Sequence, residues 1–238
     1  MKVSTFNFWV IKMDIKKFEE KTGLNFKDTH LLEMVFTHRS YLNESGNKEL
    51  EHNERLEFLG DAVLELVVTE YLYKNFTNPE GELTNWRSSI VRGEILALVA
   101  GKLELGDFLF LSRGEDKSGG RTRGLILANT FEALIGAIYL DLGYEQAAKF
   151  INHHLISLLP EIIEKKLYID PKSRLQELTQ EKLNATPEYR VTGEEGPDHT
   201  KQFTVGVYIN KKLLAEGTGS SKQKAETSAA VEAIKQFE

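Results

Sequence analysis

The chain of 238 residues contains no cysteine and only five prolines. The absence of cysteine excludes disulfides, a thiolate nucleophile and thiolate-bound zinc, and it fits a protein of the reducing cytoplasm. No apolar run approaches the length of a membrane span, so no membrane association is expected. No glycine-rich segment has P-loop spacing, so no nucleotide cofactor is predicted.

Positive charge is also scarce, since 30 Lys and Arg stand against 36 Asp and Glu and the net charge is −6. This balance argues only weakly against nucleic acid, because local clustering of basic residues matters more than the sum. A hydrophobic content of 41% is typical of a globular protein, and the length allows one large or two smaller domains. Residues 1–12 are interpreted as a poorly defined extension, and Met13 is considered as an alternative start.

An acidic helix around residues 52–66 is the most informative segment. Four apolar residues recur at helical spacing and are predicted to face a core: Leu56, Leu59, Val63 and Leu66. Glu54, Glu57 and Asp61 follow at i, i+3 and i+7, so three carboxylates share a second stripe. Mg²⁺ prefers such oxygen ligands and would relieve the repulsion between them. The alternative is a solvated acidic face, which is common on helices.

A second helix, residues 124–142, is so apolar that it is predicted to be buried. It carries Asn129 and Glu132 three residues apart. A buried carboxylate is costly unless it is paired or binds a metal. Two helices therefore offer oxygen ligands, as an oxygen-ligated metal site requires.

The pattern of the chain changes near residues 167–171. Before this point every predicted element is helical or a loop, and the boundary carries Asp170 as a helix cap and Pro171 as the first helical residue. The earlier predictions include loops at 43–51 and 113–123 and a last helix at 144–165. After it the order is α-β-β-β-α: a helix at 171–183, strands at 187–191, 203–209 and 213–217, a loop at 193–199 and a final helix from about 220.

The start of the final helix places Lys222 and Lys224 in its first turn. Cations there oppose the helix dipole, whereas an anion bound at the N-terminus would reverse that cost. Phosphate contact is one interpretation, and ordinary surface lysines are the other. From Asp170 onward 10 Lys and Arg stand against 11 Asp and Glu, so RNA affinity would have to come from this focused patch.

Several blocks together resemble one family. Residues 53–64 (NERLEFLGDAVL) look like the signature of the ribonuclease III family, and 37–40, 117–120 and 126–136 resemble its other blocks. Residues 171–226 resemble a double-stranded RNA-binding domain. The resemblance implies two domains: an all-α endonuclease domain at 14–165, followed by a small α+β RNA-binding domain at 170–238.

The resemblance also implies a mechanism and partners. Glu57, Asn129 and Glu132 would hold Mg²⁺, with Mn²⁺ able to substitute. Asp61 and Glu132 would be catalytic, and Glu54 would be an accessory acid. The family forms homodimers in which each acidic cluster cuts one strand of duplex RNA and leaves short 3′ overhangs. Its members process rRNA, mRNA and tRNA precursors.

In the second domain the resemblance implies six RNA contacts: Gln176, Glu177, His199, Ser221, Lys222 and Lys224. Duplex RNA is read mostly by its shape, through 2′-hydroxyls and phosphates. Specificity should therefore follow duplex shape more than base sequence.

One position departs from the family, which usually has Asp where this chain has Asn129. An amide oxygen can still ligate Mg²⁺, but the site loses one negative charge. Two hypotheses follow: an active endoribonuclease that needs more metal, or a catalytically impaired protein that acts by binding duplex RNA.

Overall fold

A computed structural model describes residues 15–47, 49–197 and 200–237. The chain forms two compact units that divide between Lys165 and Lys166. The first unit is helical, and the second has the element order α-β-β-β-α. The predicted fold class is therefore confirmed, whereas the proposed start at Met13 lies outside the described residues.

The first unit is built from ten α-helices among the described residues, with short 3₁₀ turns between some of them. They are α1 (Ile15–Thr22), α2 (Thr29–Phe36), α3 (Arg39–Ser45), α4 (Glu54–Asn75), α5 (Glu80–Ile90), α6 (Gly93–Lys102), α7 (Arg113–Lys117), α8 (Gly124–Leu142), α9 (Tyr144–His154) and α10 (Leu159–Glu164).

Three of the predicted elements in this unit are wrong in part. Residues 43–45 belong to α3, which is a separate short helix. His38 caps its start by accepting a hydrogen bond from the Ser40 backbone N–H. The predicted loop at 113–123 contains α7, which Ser112 caps in the same way. The predicted helix at 144–165 breaks after α9. Pro160 lacks an N–H group, so an unbroken helix could not keep its hydrogen-bond ladder there.

Helix α8 lies at the centre of the first unit, and most of its side chains are buried. Among the described residues it is long and apolar enough, by length and composition alone, to cross a membrane. The prediction that no stretch reaches that length is therefore wrong. Because 61% of the relevant window is buried inside the unit, α8 has the character of a core helix.

Helices α4 and α8 touch through their backbones. A Cβ atom at Gly60 would overlap the Glu132 carbonyl oxygen and lie 2.9 Å from the Gly136 nitrogen. A Cβ atom at Gly136 would likewise overlap the Leu56 carbonyl oxygen. Glycine is needed at both positions because no larger residue permits this approach. The crossing places Glu132 beside the first half of α4.

Around its axis α4 has three distinct faces, when residues are placed about 100° apart. The buried face includes Leu56, Val63 and Val67, and the acidic face lies next to it. The third face is exposed and largely apolar, although the Thr69 hydroxyl on it accepts a hydrogen bond from Arg87. It consists of Phe58, Ala62, Leu66, Thr69 and Tyr73, within an arc of about 80°.

This geometry corrects the predicted core face of α4. Leu66 is 57% exposed and Leu59 is only half-buried, whereas Leu56 and Val63 are buried. Steps of three and four residues average slightly less than a full turn per step, so the predicted stripe drifts around the helix. By Leu66 it has left the buried face and joined the exposed one.

The second unit contains α11 (Pro171–Leu183), β1 (Glu188–Glu195), β2 (Gln202–Ile209), β3 (Lys212–Gly219) and α12 (Lys222–Ile234). The strands form an antiparallel sheet in the order β1-β2-β3. Asp170 caps α11 as predicted, with its carboxylate accepting from the Ser173 N–H at 3.0 Å. Asn210 and Lys211, both with positive φ, form the two-residue turn between β2 and β3.

The predicted loop at 193–199 is wrong at its start, because β1 continues to Glu195. Gly193 pairs with Thr204 after a register irregularity that follows Val191. A glycine within a strand often marks such a bulge rather than the strand's end.

Strand β3 packs closely on α12. A Cβ atom at Gly217 would lie 2.7 Å from the Cα of Ala229, and one at Gly219 would lie 2.6 Å from the Ala225 nitrogen. The two glycines therefore let the strand approach the helix backbone. This contact fixes the first turn of α12 beside the end of β3.

Candidate active site and nucleic-acid interface

The acidic cluster of the first unit lies where α4 crosses α8. The pKa of Glu132 on α8 is raised to about 7, first by burial and then by the charges of Asp61 and Glu57 on α4. The pKa of Glu57 is also raised, first by burial and then by Glu54, with a further contribution from Asp61. The structure thus brings Glu57, Asp61 and Glu132 into one electrostatically coupled group.

The ends of the acidic face of α4 are neutralised by arginines from other helices. Glu54 lies 3.2 Å from the Arg39 Nη1 of α3, and Glu65 lies 3.0 Å from the Arg87 Nε of α5. His52 also approaches Glu54, at 3.8 Å. Glu54 therefore faces a cationic side chain and is more exposed than the predicted central ligands. Both features fit an accessory role better than a central one.

The middle of the same face is different. Glu57, Asp61 and Glu132 form no ion pair with any Lys, Arg or His in the described ranges. Burial raises the pKa values of both glutamates first, and repulsion between carboxylates that no cation neutralises raises them further. An arrangement of this kind is typical of a site that is completed by a bound cation.

Asn129 lies within this group, since its side chain hydrogen-bonds to Glu57 and opposes the rise in the pKa of that carboxyl. A carboxylate only accepts, so the Asn129 amide nitrogen is the donor. The amide oxygen is then the part of Asn129 that is free to ligate a metal. Asn129 and Glu132 are both half-buried on α8, as a water-accessible site at the edge of a core requires.

These donors fit a hard divalent cation. All of them are oxygens, which Mg²⁺ and Mn²⁺ prefer to sulfur or imidazole. Within residues 15–47, 49–197 and 200–237, no three His, Cys, Asp or Glu side chains are close enough to make a metal centre by themselves. The set of Glu57, Asn129 and Glu132 stays a prediction, in which two carboxylates and one amide would share the cation with water and substrate phosphate.

In the second unit, five of the six predicted RNA contacts lie on α11 or at the start of α12, and these two helices pack together. Gln176 and Glu177 are exposed on α11, and Glu177 pairs with Arg174 at 3.4 Å. His199 lies outside the described residues. Leu175 of α11 packs with the alanines of α12 in the core of the unit. That packing holds the exposed face of α11 relative to the start of α12.

The start of α12 holds the other three predicted contacts. Ser221 caps the helix, and its hydroxyl oxygen accepts from the Lys224 N–H at 3.2 Å. Lys224 is exposed, and none of the described carboxylates pairs with it. Lys222 instead lies 3.6 Å from a carboxylate oxygen of Glu194. The first turn therefore presents one unpaired and one paired ammonium group.

Comparison with known proteins identifies both units. The family model for ribonuclease-III-like domains matches residues 28–159, and the model of the double-stranded RNA binding motif matches residues 171–237. Ribonuclease 3 of Treponema denticola is 45% identical over 220 residues, which are 92% of this chain and 89% of that protein. The chain belongs to the ribonuclease III family. It is an endoribonuclease with an attached double-stranded RNA-binding domain.

Other ribonuclease III proteins are similar to a comparable extent. Ribonuclease 3 of Oceanobacillus iheyensis is 46% identical over 223 residues, covering 93% of this chain and 97% of that protein. The nuclease domain of ribonuclease III from Campylobacter jejuni has a TM-score of 0.54 and 41% identity, covering 59% of this chain and 98% of that one. That structure is described for flexibility in a region involved in dimer formation.

Sequence reasoning missed several residues that shape the ribonuclease III site. Arg39 and Arg87 neutralise the ends of the acidic face, and Gly60 and Gly136 permit the crossing. Glycines inside two strongly helical patterns were an available signal, because such glycines usually have a packing reason. No comparable signal pointed to the arginines, since their partners are distant in the sequence.

Proposed function

We propose that this protein is a double-strand-specific endoribonuclease that uses Mg²⁺, with catalysis in residues 14–165 and RNA binding in residues 170–238. The observation that supports this most strongly is the cluster of Glu57, Asp61 and Glu132, which no described cation neutralises. An RNA-binding domain on the same chain supplies the substrate class. The natural substrates we propose are rRNA, mRNA and tRNA precursors in the cytoplasm.

In this mechanism the residues of α4 and α8 divide the work. Glu57 and Glu132, with the amide oxygen of Asn129, would hold the cation. Asp61 is one turn beyond Glu57 and orients the attacking water through its carboxylate. Glu54 lies at the edge and is proposed as an accessory acid. When bound, Mg²⁺ supplies Lewis-acid polarisation of the phosphate and lowers the pKa of water.

The RNA-binding domain supplies position rather than chemistry. Gln176 and Glu177 would contact one minor groove, and the 196–199 segment the next. Ser221, Lys222 and Lys224 would hold the phosphates between them. Each of these contacts reads duplex geometry, so we expect cleavage of long duplexes of unrelated sequence.

We also propose that the protein works as a homodimer. The exposed apolar face of α4 supports this, because Phe58 is 81% exposed and the face continues through Leu66 to Tyr73. Placed about 1.5 Å apart per residue, these side chains span roughly 22 Å of helix. The occupant we assign to this face is a second copy, since a related nuclease domain has a region involved in dimer formation.

Phe58→Ala is expected to weaken this dimer. An aromatic anchor is removed from both copies at once, so the dissociation constant should rise at least about a hundredfold. Light scattering and sedimentation velocity measure the change. Leu213→Ala, which truncates an exposed leucine of the RNA-binding unit, is the control and should leave association unchanged. An unaltered dimer in the Phe58 variant would show that this face is not the interface.

Asn129→Asp is expected to lower the Mg²⁺ concentration needed for half-maximal cleavage by about tenfold, because it restores a charged oxygen ligand. It also removes the hydrogen bond from Asn129 to Glu57. A cleavage time course on a plain RNA duplex, with Mg²⁺ titrated from zero to a large excess, measures the shift.

The same titration tests the alternative function. A wild-type protein that binds the duplex but never cleaves it, and that Asn129→Asp converts into a nuclease, would be a regulator acting by occupancy. Equal metal requirements in both proteins would mean that the amide replaces the carboxylate fully.

A further inference from the structure

Glu194, near the end of β1, holds two lysines that come from different parts of the second unit. Its carboxylate oxygens lie 3.1 Å from the Nζ of Lys201 and 3.6 Å from the Nζ of Lys222. Lys201 immediately precedes β2, whereas Lys222 is the first residue of α12. One carboxylate therefore ties the sheet to the helix N-terminus predicted to contact phosphate.

An aromatic ring completes this cluster. The Nζ atoms of Lys201 and Lys222 lie 5.9 Å and 5.7 Å from the centroid of Phe203 on β2. Cations over an aromatic face are attracted by its quadrupole. Glu194 and Phe203 together hold two ammonium groups at one place on the surface.

The cluster is ionised at neutral pH. The hydrogen bond from Lys201 lowers the pKa of Glu194, and the charges of Lys201 and Lys222 lower it further. Glu194 therefore reduces the positive charge that Lys201 and Lys222 would otherwise present to RNA. Lys224, two residues further along α12, has no such counter-charge among the described residues.

We propose that Glu194 is a built-in counter-charge which the phosphate backbone of duplex RNA must displace from Lys201 and Lys222. The carboxylate limits the affinity of the RNA-binding domain and so promotes release of the cleaved duplex. Lys201 thereby becomes an additional phosphate ligand, beside the residues at the start of α12. The proposal rests on the proposed role of Lys222 in phosphate contact.

An RNA phosphate can replace the Glu194 carboxylate at low energetic cost because the ion pairs are partly exposed to water. The side chains of Lys201, Glu194 and Lys222 are 34%, 38% and 59% exposed, so water screens their attraction and the pairs are weak. A phosphate and a carboxylate accept the same charge-assisted hydrogen bonds, so they compete for the two lysines. Removing the carboxylate takes away one competitor of RNA for both ammonium groups.

The test compares Glu194→Gln with Glu195→Gln in the full-length protein. Both variants lose one negative charge from β1, but adjacent strand residues point to opposite faces, and Glu195 pairs with no described lysine. Binding of a blunt RNA duplex is measured in Ca²⁺ without Mg²⁺, from about 50 to about 200 mM KCl. Lys222→Ala is measured in parallel.

We expect Glu194→Gln to bind the duplex about fivefold more tightly than Glu195→Gln at low salt, and its log–log salt slope to be steeper by about one. Single-turnover cleavage in Mg²⁺ should be unchanged while multiple-turnover cleavage slows, because product release becomes limiting. A carboxylate that only fixed the lysines structurally would instead weaken binding when removed and leave the slope unchanged.

Two failures can be told apart. If Lys222→Ala binds RNA as well as the wild type, the proposed RNA surface is wrong and this proposal falls with it. If Lys222→Ala weakens binding but Glu194→Gln behaves like Glu195→Gln, the RNA surface stands and the counter-charge role of Glu194 is overturned.

Discussion

Glu132→Gln is expected to abolish cleavage of duplex RNA and to leave duplex binding in Ca²⁺ unchanged. The substitution keeps the shape of a side chain at the α4–α8 crossing but removes the charge that burial, Asp61 and Glu57 act upon. Loss of a charged metal ligand removes several kcal/mol of transition-state stabilisation, so the single-turnover rate should fall by about three to four orders of magnitude. A time course at saturating Mg²⁺ measures it.

Glu145→Gln on α9 is a suitable control, because Glu145 is exposed and outside the acidic cluster. This variant should cleave at the wild-type rate. Cleavage by the Glu132 variant within about tenfold of the wild type would mean that the cation is held elsewhere.

The Glu132→Gln variant should be more stable than the wild type in EDTA at alkaline pH. The folded-state pKa of Glu132 is about 7, against an ordinary value of 4.5, so the folded protein binds this proton more tightly than the unfolded chain. The Glu132 carboxyl therefore does not change the free energy of unfolding below about pH 4.5, where it is protonated in both states. As pH rises to about 7, it lowers the free energy of unfolding progressively.

Glutamine carries no such cost, because it has no charge to bury. After allowance for solvent screening, the gain at about pH 8 should be about 1–2 kcal/mol, or a Tm higher by roughly 3–6 °C. Thermal unfolding in EDTA at about pH 4.5 and about pH 8 measures it. An advantage that is equal at both pH values would contradict the electrostatic origin.

Gly60→Ala is expected to destabilise the first unit severely and to inactivate the enzyme. The new methyl group would overlap the Glu132 carbonyl oxygen, and that obstacle is backbone, which no rotamer change can move. Separation of α4 from α8 should cost at least about 3 kcal/mol, which corresponds to a fall in Tm of about 10 °C. It would also move Glu132 away from Glu57, so cleavage should fail even where the variant is folded.

Gly101→Ala provides the matched control. Gly101 lies within α6, and a Cβ atom there would meet nothing within 4 Å. Alanine should therefore stabilise this helix by up to about 1 kcal/mol, because it lowers the entropy lost on folding. Differential scanning calorimetry and duplex cleavage should separate the two variants. A Gly60 variant with wild-type Tm and activity would show that α4 and α8 do not approach each other this closely.

Much of the fold follows from local pattern. The limits of α8 and α11 agree with prediction at both ends. Gly143 marks the end of α8, and Asp170 and Pro171 mark the start of α11. Strict alternation of Phe203, Val205 and Val207 predicted β2. Local errors arose where a residue type is compatible with two structures. Gly193 was predicted to begin a loop, but it lies at a bulge and β1 continues beyond it.

For the candidate site, residue types and spacing predicted which carboxylates share a stripe of α4, but spacing alone did not distinguish their environments. Glu54, Glu57 and Asp61 share one stripe of α4 by helical periodicity alone. Their different environments depend on Arg39 and on Glu132, which come from other helices. The resemblance had already placed Glu54 as an accessory acid, and the packed structure adds a physical difference, because only Glu54 of these three pairs with an arginine among the described residues.

The sequence by itself determined the α-β-β-β-α order of the second unit, the Asp170 cap of α11, the acidic stripe of α4 and the lysines at the start of α12. These features depend on residues within a few positions of one another. Only the tertiary structure decided which carboxylates have no cationic side chain beside them, how closely α4 and α8 approach at Gly60, and that Glu194 forms an ion pair with Lys222. The physical reason is that charge and steric contact depend on distance in space, and these partners are separated by tens of residues along the chain.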